Sequence, residues 1–392
     1  MTVRKAAGAG VGRAIFFIFI FSIILFGNSR AQDQPAEELQ IDFNSYFDNF
    51  NVDVFFPSIS INKNISKTTS ITGRYMTDII SAASMKSTFI VDGVTSATTK
   101  HVGGGDNTPD EWRHQFSGGI IQNILEGTAM LNASYSTEHD YSSKTLIVNL
   151  SYPFAKKNTV LHYGYTASWD LVFPQVAFWT RQRNAYSSDI SLTQILAKNL
   201  IAQMIFSYST IRGEQTDGYQ VVKIIENETV QTLNAVHPDF RARRTAGLMT
   251  NYGFTKSSTI ELDYRYYWDN WNIVSHTITS TFKTHLSQLL NLDLELRQYI
   301  QTRAFFFQPV YTQVEKYMAV EGSLNSGYSN EGLLTLTFSG NKKYKVPLLN
   351  SDKMQIITTL GFYHRHTDTP DWHSLYTELY AYLFNLGFRI KF

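Results

Sequence analysis

The chain has 392 residues and a formal net charge of +1, from 34 Lys plus Arg against 33 Asp plus Glu. This balance excludes a strongly basic surface for nucleic acid, and no nucleic-acid partner is expected. The absence of Cys excludes disulfides, thiolate metal sites and a lipid-acceptor Cys.

The first 31 residues have the pattern of a secretory signal peptide. Arg4 and Lys5 form a basic start, residues 14–26 (AIFFIFIFSIILF) form an apolar run, and Ala31 is a small residue suited to cleavage. A retained membrane anchor is the less favoured alternative, because a spanning helix needs about 20 apolar residues. We therefore expect residues 1–31 to be a signal peptide and residues 32–392 to be the exported protein.

The exported part shows two-faced strands rather than membrane-spanning helices. Charged or polar residues interrupt every later apolar run before about 18 residues. Residues 161–169 place Leu, Tyr, Tyr, Ala and Trp at odd positions with more polar residues between them, and residues 260–268 and 292–297 repeat such an alternation. An apolar row facing lipid beside a polar row facing water is what a water-containing transmembrane barrel requires.

Sixteen such strands are predicted, and fourteen is the alternative. They lie at 37–46, 52–62, 68–80, 113–122, 127–136, 144–153, 158–169, 186–196, 199–209, 243–253, 257–268, 274–285, 291–305, 330–340, 353–365 and 376–392. Short connectors alternate with long ones, such as 210–242 and 306–329, as expected for short periplasmic turns and long external loops. The prediction is an all-β, antiparallel transmembrane barrel in a Gram-negative outer membrane, with a soluble sandwich as the alternative.

The last predicted strand carries a second signal. From Tyr380 to Phe392 every even position is apolar or aromatic, while the odd positions become polar toward the end. At about 9–11 residues a tilted strand crosses a bilayer, so this strand is long enough. Its closing Phe392 resembles the C-terminal signal by which bacterial outer-membrane barrels are recognised for insertion. The resemblance implies the barrel assembly machinery and outer-membrane lipids as partners.

A tandem motif lies between the third and fourth predicted strands. Residues 76–86 (MTDIISAASMK) and 91–101 (VDGVTSATTKH) each contain an Asp, two residues, a hydroxyl residue, a small residue, Ala and a second hydroxyl residue. This pattern resembles the acceptor motif of the periplasmic flavin transferase, which joins the phosphate of FMN to the last hydroxyl. The chain departs from that motif where it has Ser96 and Ala82 in place of Gly.

The resemblance assigns roles within both copies of the motif. It implies covalent FMN on Thr98 and, secondarily, on Ser84, with the flavin transferase as a transient partner. The remaining cofactor-site residues that it implies are the two recognition acids and the first hydroxyl of each copy: Asp92, Asp78, Thr95 and Ser81.

The signal, the tandem motif, the segment DEWRHQFSGG (110–119) and the barrel pattern together resemble an uncharacterised family of outer-membrane proteins. Members of that domain-of-unknown-function family are often encoded beside the flavin transferase and a thioredoxin-like protein. The resemblance implies a flavin carrier in electron transfer at the cell envelope. An unmodified porin-like channel and a structural barrel remain the alternatives.

Other residues are predicted to line the lumen or to lie at the membrane interface rather than to take part in catalysis. Arg181, Arg183, Arg241, Arg243 and Arg244 either line a cationic constriction or lie at strand ends near lipid phosphates. The aromatic residues near external strand ends are interpreted as an interfacial girdle; they are Trp169, Trp179, Trp268, Trp271, Trp372, Tyr266, Tyr267 and Tyr376. No G-x-S-x-G or H-E-x-x-H motif is present, so neither an enzyme nor a metal site is expected.

Overall fold

The computed structural model describes residues 34–49, 52–80, 111–174, 178–216, 218, 220–226, 228–319, 321–344, 349–368 and 377–392. Within them, short 3₁₀ turns at Ala155–Lys157 and Gly322–Leu324 accompany nineteen strands. The strands are β1 (Glu38–Asp48), β2 (Asp53–Phe55), β3 (Ser58–Asn64), β4 (Thr69–Ile80), β5 (Glu111–Ile124), β6 (Gly127–Thr137), β7 (Tyr141–Phe154), β8 (Thr159–Val172), β9 (Arg181–Ala197), β10 (Leu200–Gly213), β11 (Val221–Glu226), β12 (Thr229–Asn234), β13 (Phe240–Gly253), β14 (Ser258–Asp269), β15 (Val274–His285), β16 (Leu290–Gln301), β17 (Gly327–Ser339), β18 (Met354–Thr367) and β19 (Glu378–Lys391).

These strands form a closed antiparallel barrel. Each strand pairs with its neighbours, and β1 closes the sheet by pairing with β19 from Glu38 opposite Lys391 to Asp48 opposite Ala381. β2 and β3 are two segments of one broken strand, because both pair with β1 on one side and β4 on the other. β11 and β12 form a separate hairpin between β10 and β13. The barrel therefore has sixteen strands, which confirms the predicted fold and excludes fourteen.

The pairing register explains how the alternating sequence becomes two surfaces. On β14 the even positions from Ile260 to Trp268 are apolar or aromatic and point away from the lumen, and Leu262 and Tyr264 are exposed there. The odd positions Glu261, Asp263 and Arg265 pair across to Thr281, Thr279 and Thr277 of β15, on the inner face. Successive side chains of a strand point to opposite faces, so this pattern fixes the inner and outer sides. Among the described residues, no helix is long and apolar enough to cross a membrane.

The two ends of the barrel differ in their connections. One end carries the tight turns 65–68, 125–126, 155–158, 198–199, 254–257 and 286–289, together with the longer connection 340–353. The other end carries the long connections 214–239 and 302–326, and β4 ends and β5 begins there. The predicted boundaries that differ most from the structure are the start of β9 at Arg181, the end of β10 at Gly213 and the end of β16 at Gln301. The residues after Gln301 leave the sheet and pack inward, so the predicted strand 291–305 was too long.

Buried apolar side chains concentrate at the long-loop end. One group joins β1 and β2 to β18 and β19 and includes Tyr46, Val54, Phe56, Tyr363 and Leu379. A second and a third group belong to the long loops and are described below. A transmembrane barrel has no central apolar core to fill, so these groups organise its mouth.

Candidate functional site

The lumen has a densely charged arc, which we call the charged wall. It is formed by inward residues of β14 to β17, and its members are Glu261, Asp263, Arg265, Lys283, Asp293, Glu295, Arg297 and Glu331. Lys283 Nζ lies 3.2 Å from Glu261 Oε2, and Arg297 Nη1 lies 3.1 Å from Glu331 Oε2. Asp263, Asp293 and Glu295 have no ion-pair partner within the described ranges. The wall therefore presents more carboxylates than cations to the lumen.

A second arc is lined mainly by hydroxyl groups, and we call it the hydroxyl wall. Its inward residues from β5 to β10 include Ser117, Ser134, Thr145, Ser168, Ser187 and Ser207. Ser143 Oγ lies 3.1 Å from Ser168 Oγ, so hydroxyl groups bond across adjacent strands. Asp189 is an acidic exception and lies against Gly164, where any side chain larger than hydrogen would clash with its carboxylate.

Each wall has a buried arginine–aspartate pair near the long-loop end. On the hydroxyl wall, Arg183 Nε donates to Asp170 Oδ2 at 3.1 Å, and Arg183 Nη2 donates to the Tyr141 hydroxyl at 2.7 Å. On the side of the charged wall, Arg241 Nη2 lies 2.7 Å from Asp269 Oδ2. Burial makes both pairs costly to break, because the remaining charge would be unpaired.

Asp269 is also the anchor of the tight turn between β14 and β15. Its Oδ1 accepts the backbone N–H groups of Trp271 and Ile273, each at 2.9 Å. Its Oδ2 accepts the Tyr267 hydroxyl at 2.6 Å in addition to Arg241. One carboxylate therefore connects the strand end, the turn and the neighbouring strand.

That turn holds an apolar assembly that we call the mouth cluster. It consists of Trp271, Ile273, Ala304, Phe306, Phe307, Ala319 and Leu324, extended by Val222, Ile224, Ala235, Tyr311 and Met318. It joins three connections, namely 214–239, 270–273 and 302–326. Backbone bonds between Val236 and Met318, at 2.8 and 2.9 Å, hold the first connection against the third.

The mouth cluster lies on the lumen side of the barrel wall. Gln301 is an inward residue of β16, and its amide donates to the carbonyl of Ser323 at 2.8 Å and to that of Asn325. The inward residue Arg241 places its guanidinium 4.3 Å from the Trp271 ring centroid. The connection 302–326 and the turn 270–273 therefore fold over the lumen instead of extending away from it.

Two polar contacts fix the connections that build the cluster. The Tyr311 hydroxyl donates to the Phe306 carbonyl at 2.8 Å and accepts the Ala319 N–H at 2.9 Å, and burial raises the pKa of Tyr311. Glu214 pairs with Arg181 at the start of the 214–239 connection. Burial opposes ionisation of Glu214, but hydrogen bonds from Thr216 and Arg181 outweigh it and lower the pKa of this carboxyl.

Asp78 is the predicted cofactor-site residue that lies within the described part of the chain. It is a buried inward residue of β4, and its Oδ2 lies 3.7 Å from Arg113 Nη1. Its Oδ1 is buried and accepts no hydrogen bond from the residues that the structure describes. The five other predicted residues lie outside the described residues; they are Ser81, Ser84, Asp92, Thr95 and Thr98.

The structure divides the five arginines that the sequence grouped together. Arg183, Arg241 and Arg243 are inward residues, and the first two are engaged with aspartates. Arg244 has the opposite orientation and lies on the lipid-facing side of β13. Arg181 is exposed and pairs with Glu214. The two alternatives therefore hold for different members, because Arg183, Arg241 and Arg243 face the lumen whereas Arg244 faces the lipid side.

The predicted aromatic girdle is present but has a different membership. Trp169, Trp268 and Tyr266 lie on the outer face, whereas Tyr267 faces the lumen and Trp271, 2% exposed, belongs to the mouth cluster. The Arg181 guanidinium carbon lies 4.3 Å from the Trp179 ring centroid. Trp372 and Tyr376 lie outside the described residues. Sequence reasoning missed that histidines join the girdle. Four outward histidines contact tyrosines, namely His114, His276, His364 and His366. Their even positions on strands whose even residues face outward could have predicted this.

Comparisons with known proteins give a family and several distant structural similarities. The profile described as protein of unknown function, DUF3570, matches residues 22–182 and 175–328. Among curated proteins, none matches the sequence. The prediction of an uncharacterised family is thereby confirmed, while its link to the flavin transferase stays a prediction.

Three solved structures illustrate the structural similarity. The siderophore receptor PirA from Pseudomonas aeruginosa is 8% identical with a TM-score of 0.43, over 91% of this chain and 81% of that protein. A mutant of the ferric enterobactin receptor PfeA from the same organism is 9% identical with a TM-score of 0.44, over 86% of this chain and 54% of that one. Pseudomonas aeruginosa OpdK, solved with vanillate, is 8% identical with a TM-score of 0.44, over 91% of this chain and 98% of that one. The chain thus spans about half the length of PfeA, and these identities are too low to transfer a ligand.

Proposed function

The chain belongs to the DUF3570 family of proteins of unknown function, and we propose that it is an outer-membrane barrel whose lumen conducts small polar solutes. The observation that carries this proposal is the closed sixteen-strand sheet with an apolar outer face and a polar inner face. Barrels of this size enclose enough space for an aqueous channel. The mouth cluster narrows the external entrance, so the route runs beside it.

Location and conduction are tested separately. Cell fractionation should place the exported protein with outer-membrane lipids, and depletion of the barrel assembly machinery should reduce the folded form. The purified barrel, inserted into a planar lipid bilayer, should give stepwise conductance, and the heat-unfolded protein is the control. A folded barrel that inserts but passes no current would contradict the channel proposal, and recovery in the soluble periplasmic fraction would contradict the location.

A second candidate function is the carriage of covalent FMN in electron transfer at the envelope. Two observations favour it, namely the tandem motif and the position of Asp78, the recognition acid of its first copy, at the lumen side of β4. A phosphoester would form between the Thr98 hydroxyl oxygen and the FMN phosphorus, with loss of the hydroxyl proton and of the leaving group of an activated FMN donor. The flavin would then supply the redox chemistry, and the barrel would supply its position.

Intact-mass measurement tests the flavin proposal. Co-expression with the periplasmic flavin transferase should add one or two FMN-sized increments together with flavin absorbance. Thr98→Ala should remove the main increment, Ser84→Ala should remove the minor one, and Thr99→Ala, just outside the motif, is a control that keeps both acceptor hydroxyls and both recognition acids. An unmodified wild-type mass under these conditions would reject FMN carriage and would leave the channel proposal intact.

A further inference from the structure

Two arginines project from the outer face of the barrel at its long-loop end. Arg212 of β10 shares its side of the strand with Phe206 and Tyr208, both exposed. Arg244 of β13 shares its side with the exposed Leu248 and Tyr252. The two arginines therefore face the side that the apolar residues assign to lipid, unlike Arg241 and Arg243 on the same strand.

Aromatic rings, rather than carboxylates, hold these two side chains. The Arg244 guanidinium lies 5.4 Å from the Tyr208 ring centroid, and the Arg212 guanidinium lies 4.8 Å from that of Phe240. Trp268 is the cross-strand neighbour of Arg244 on the other side. Neither arginine has an ion pair within the described part of the chain, whereas the inward Arg183, Arg241 and Arg297 each have one.

Their depth in the membrane follows from the cost of exposing charge to hydrocarbon. An arginine on the lipid face costs about 2–4 kcal/mol at the bilayer midplane and almost nothing near the interface. Arg212 lies one residue from the end of β10, and Arg244 lies among the interfacial aromatics Tyr208 and Trp268. Both guanidinium groups are therefore placed at the level of lipid headgroups, where phosphate oxygens are the available anions.

We propose that Arg212 and Arg244, with Tyr208, Phe240 and Trp268, form a binding site for a phosphorylated glycolipid of the outer leaflet. We call these five residues the glycolipid patch. Arginine presents a planar fork of N–H donors that matches phosphate oxygens, and the aromatic surfaces suit the sugar and acyl parts. Along the strands the two arginines are offset by four residues, which is about 13 Å at about 3.3 Å per residue. They therefore bind separate phosphate groups.

Native mass spectrometry of the full exported chain in detergent micelles tests this site. The probes are lipid A carrying its phosphates and the same lipid after dephosphorylation. We expect the wild type to retain the phosphorylated lipid and the Arg212→Gln/Arg244→Gln double variant to bind it about tenfold more weakly. Arg303→Gln is the matched control, because Arg303 is an exposed arginine at the same end that is not on the outer face of a strand.

Three results with the lipid probes would overturn the proposal. They are equal retention of phosphorylated and dephosphorylated lipid, unchanged binding by the double variant, and an equal loss with Arg303→Gln, which would mean nonspecific charge attraction. Displacement of the lipid by inorganic phosphate at the same concentration would also overturn it. Heat-modified mobility on a gel checks that each variant is folded.

The site rests on the proposed outer-membrane location, but its failure is distinguishable from failure of the proposed function. The micelle measurement needs neither conductance nor bound flavin. Loss of phosphate preference with normal fractionation would remove the glycolipid patch alone, whereas recovery outside the membrane fraction would remove the proposed location.

Discussion

The charged wall and the hydroxyl wall are built from the same kind of strand but differ in their inward side chains. Those of the first are mostly charged, and those of the second are mostly neutral hydroxyl groups. On the charged wall, ions are paired across strands, as in Lys283–Glu261 and Arg297–Glu331, and carboxylates remain in excess. On the hydroxyl wall, serines and threonines satisfy one another, as Ser143 and Ser168 do. The backbone pairing is continuous through both walls, so inward side chains can vary without changing the sheet. The fold of the barrel therefore does not depend on which polar side chains line its lumen.

The mouth cluster extends this difference to the entrance. The Asp269–Arg241 pair on the side of the charged wall supports the apolar residues above the lumen, whereas the Asp170–Arg183 pair of the hydroxyl wall bonds to Tyr141 within the sheet. Two chemically similar pairs therefore have different structural consequences. Variants of each pair test whether only the Asp269–Arg241 pair supports the mouth cluster.

The largest expected effect comes from removing the two aspartates. Asp269→Ala and Asp170→Ala should each lower the free energy of unfolding by about 3–5 kcal/mol, because each leaves a largely buried arginine without its carboxylate. Urea unfolding of the refolded barrel measures this loss. Only Asp269→Ala should also raise single-channel conductance, because only Asp269 anchors the mouth cluster. Equal conductance changes in the two variants would contradict the comparison.

A smaller, local effect is expected within the mouth cluster. Phe306 is 5% exposed and its neighbour Phe305 is 54% exposed. Phe306→Ala should destabilise the cluster by about 3–5 kcal/mol through the cavity that it leaves, and Phe305→Ala should change little. Bilayer recordings should show fewer closures for Phe306→Ala alone. The same recordings with Phe305→Ala are the matched control, and identical traces would show that the cluster does not restrict the entrance.

Charge selectivity should change more modestly. The double variant Asp293→Asn/Glu295→Gln removes two negative charges from the charged wall and should reduce the cation-to-anion permeability ratio by about two- to threefold, since charges in water are strongly screened. The reversal potential in a salt gradient measures this ratio. Ser187→Ala/Ser207→Ala on the hydroxyl wall should leave it unchanged. A shift from the serine variant as large as that from the carboxylate variant would refute the assignment of selectivity to one wall.

The smallest expected effect is a loss of stability of the 214–239 connection at acidic pH. The folded-state pKa of Glu214 is lowered from 4.5, so its contribution to stability is complete above that value and is lost as pH falls through the lower folded-state pKa. Digestion of the 214–239 connection by an acid-active protease should therefore accelerate as pH falls below 4.5. Glu214→Gln should already be cut rapidly above pH 4.5 and should lose this pH dependence. A variant with the wild-type pH profile would exclude the Arg181–Glu214 pair as the anchor.

Local pattern was sufficient to predict most of the barrel. The strand 274–285 was predicted with its observed bounds, because its flanks are turns and its side chains alternate. The strand predicted at 291–305 ran past Gln301, because Phe305, Phe306 and Phe307 continue an apolar composition after the sheet ends. Composition cannot distinguish an aromatic residue that faces lipid from one that packs in a loop, and for the same reason Trp271 was assigned to the girdle.

The amino-acid sequence by itself determined the sixteen strands and the two faces of the barrel, since the alternation of side chains along a strand is a local property with a period of two. It also suggested which hydroxyl groups would accept a flavin, a prediction that concerns residues outside the described part of the chain. Only the tertiary structure decided that Asp269 joins a turn to Arg241, that the connection 302–326 folds over the lumen, and that Arg244 faces outward while Arg241 faces inward. These outcomes depend on strand register and on contacts between distant segments, where the cost of burying an unpaired charge selects the arrangement.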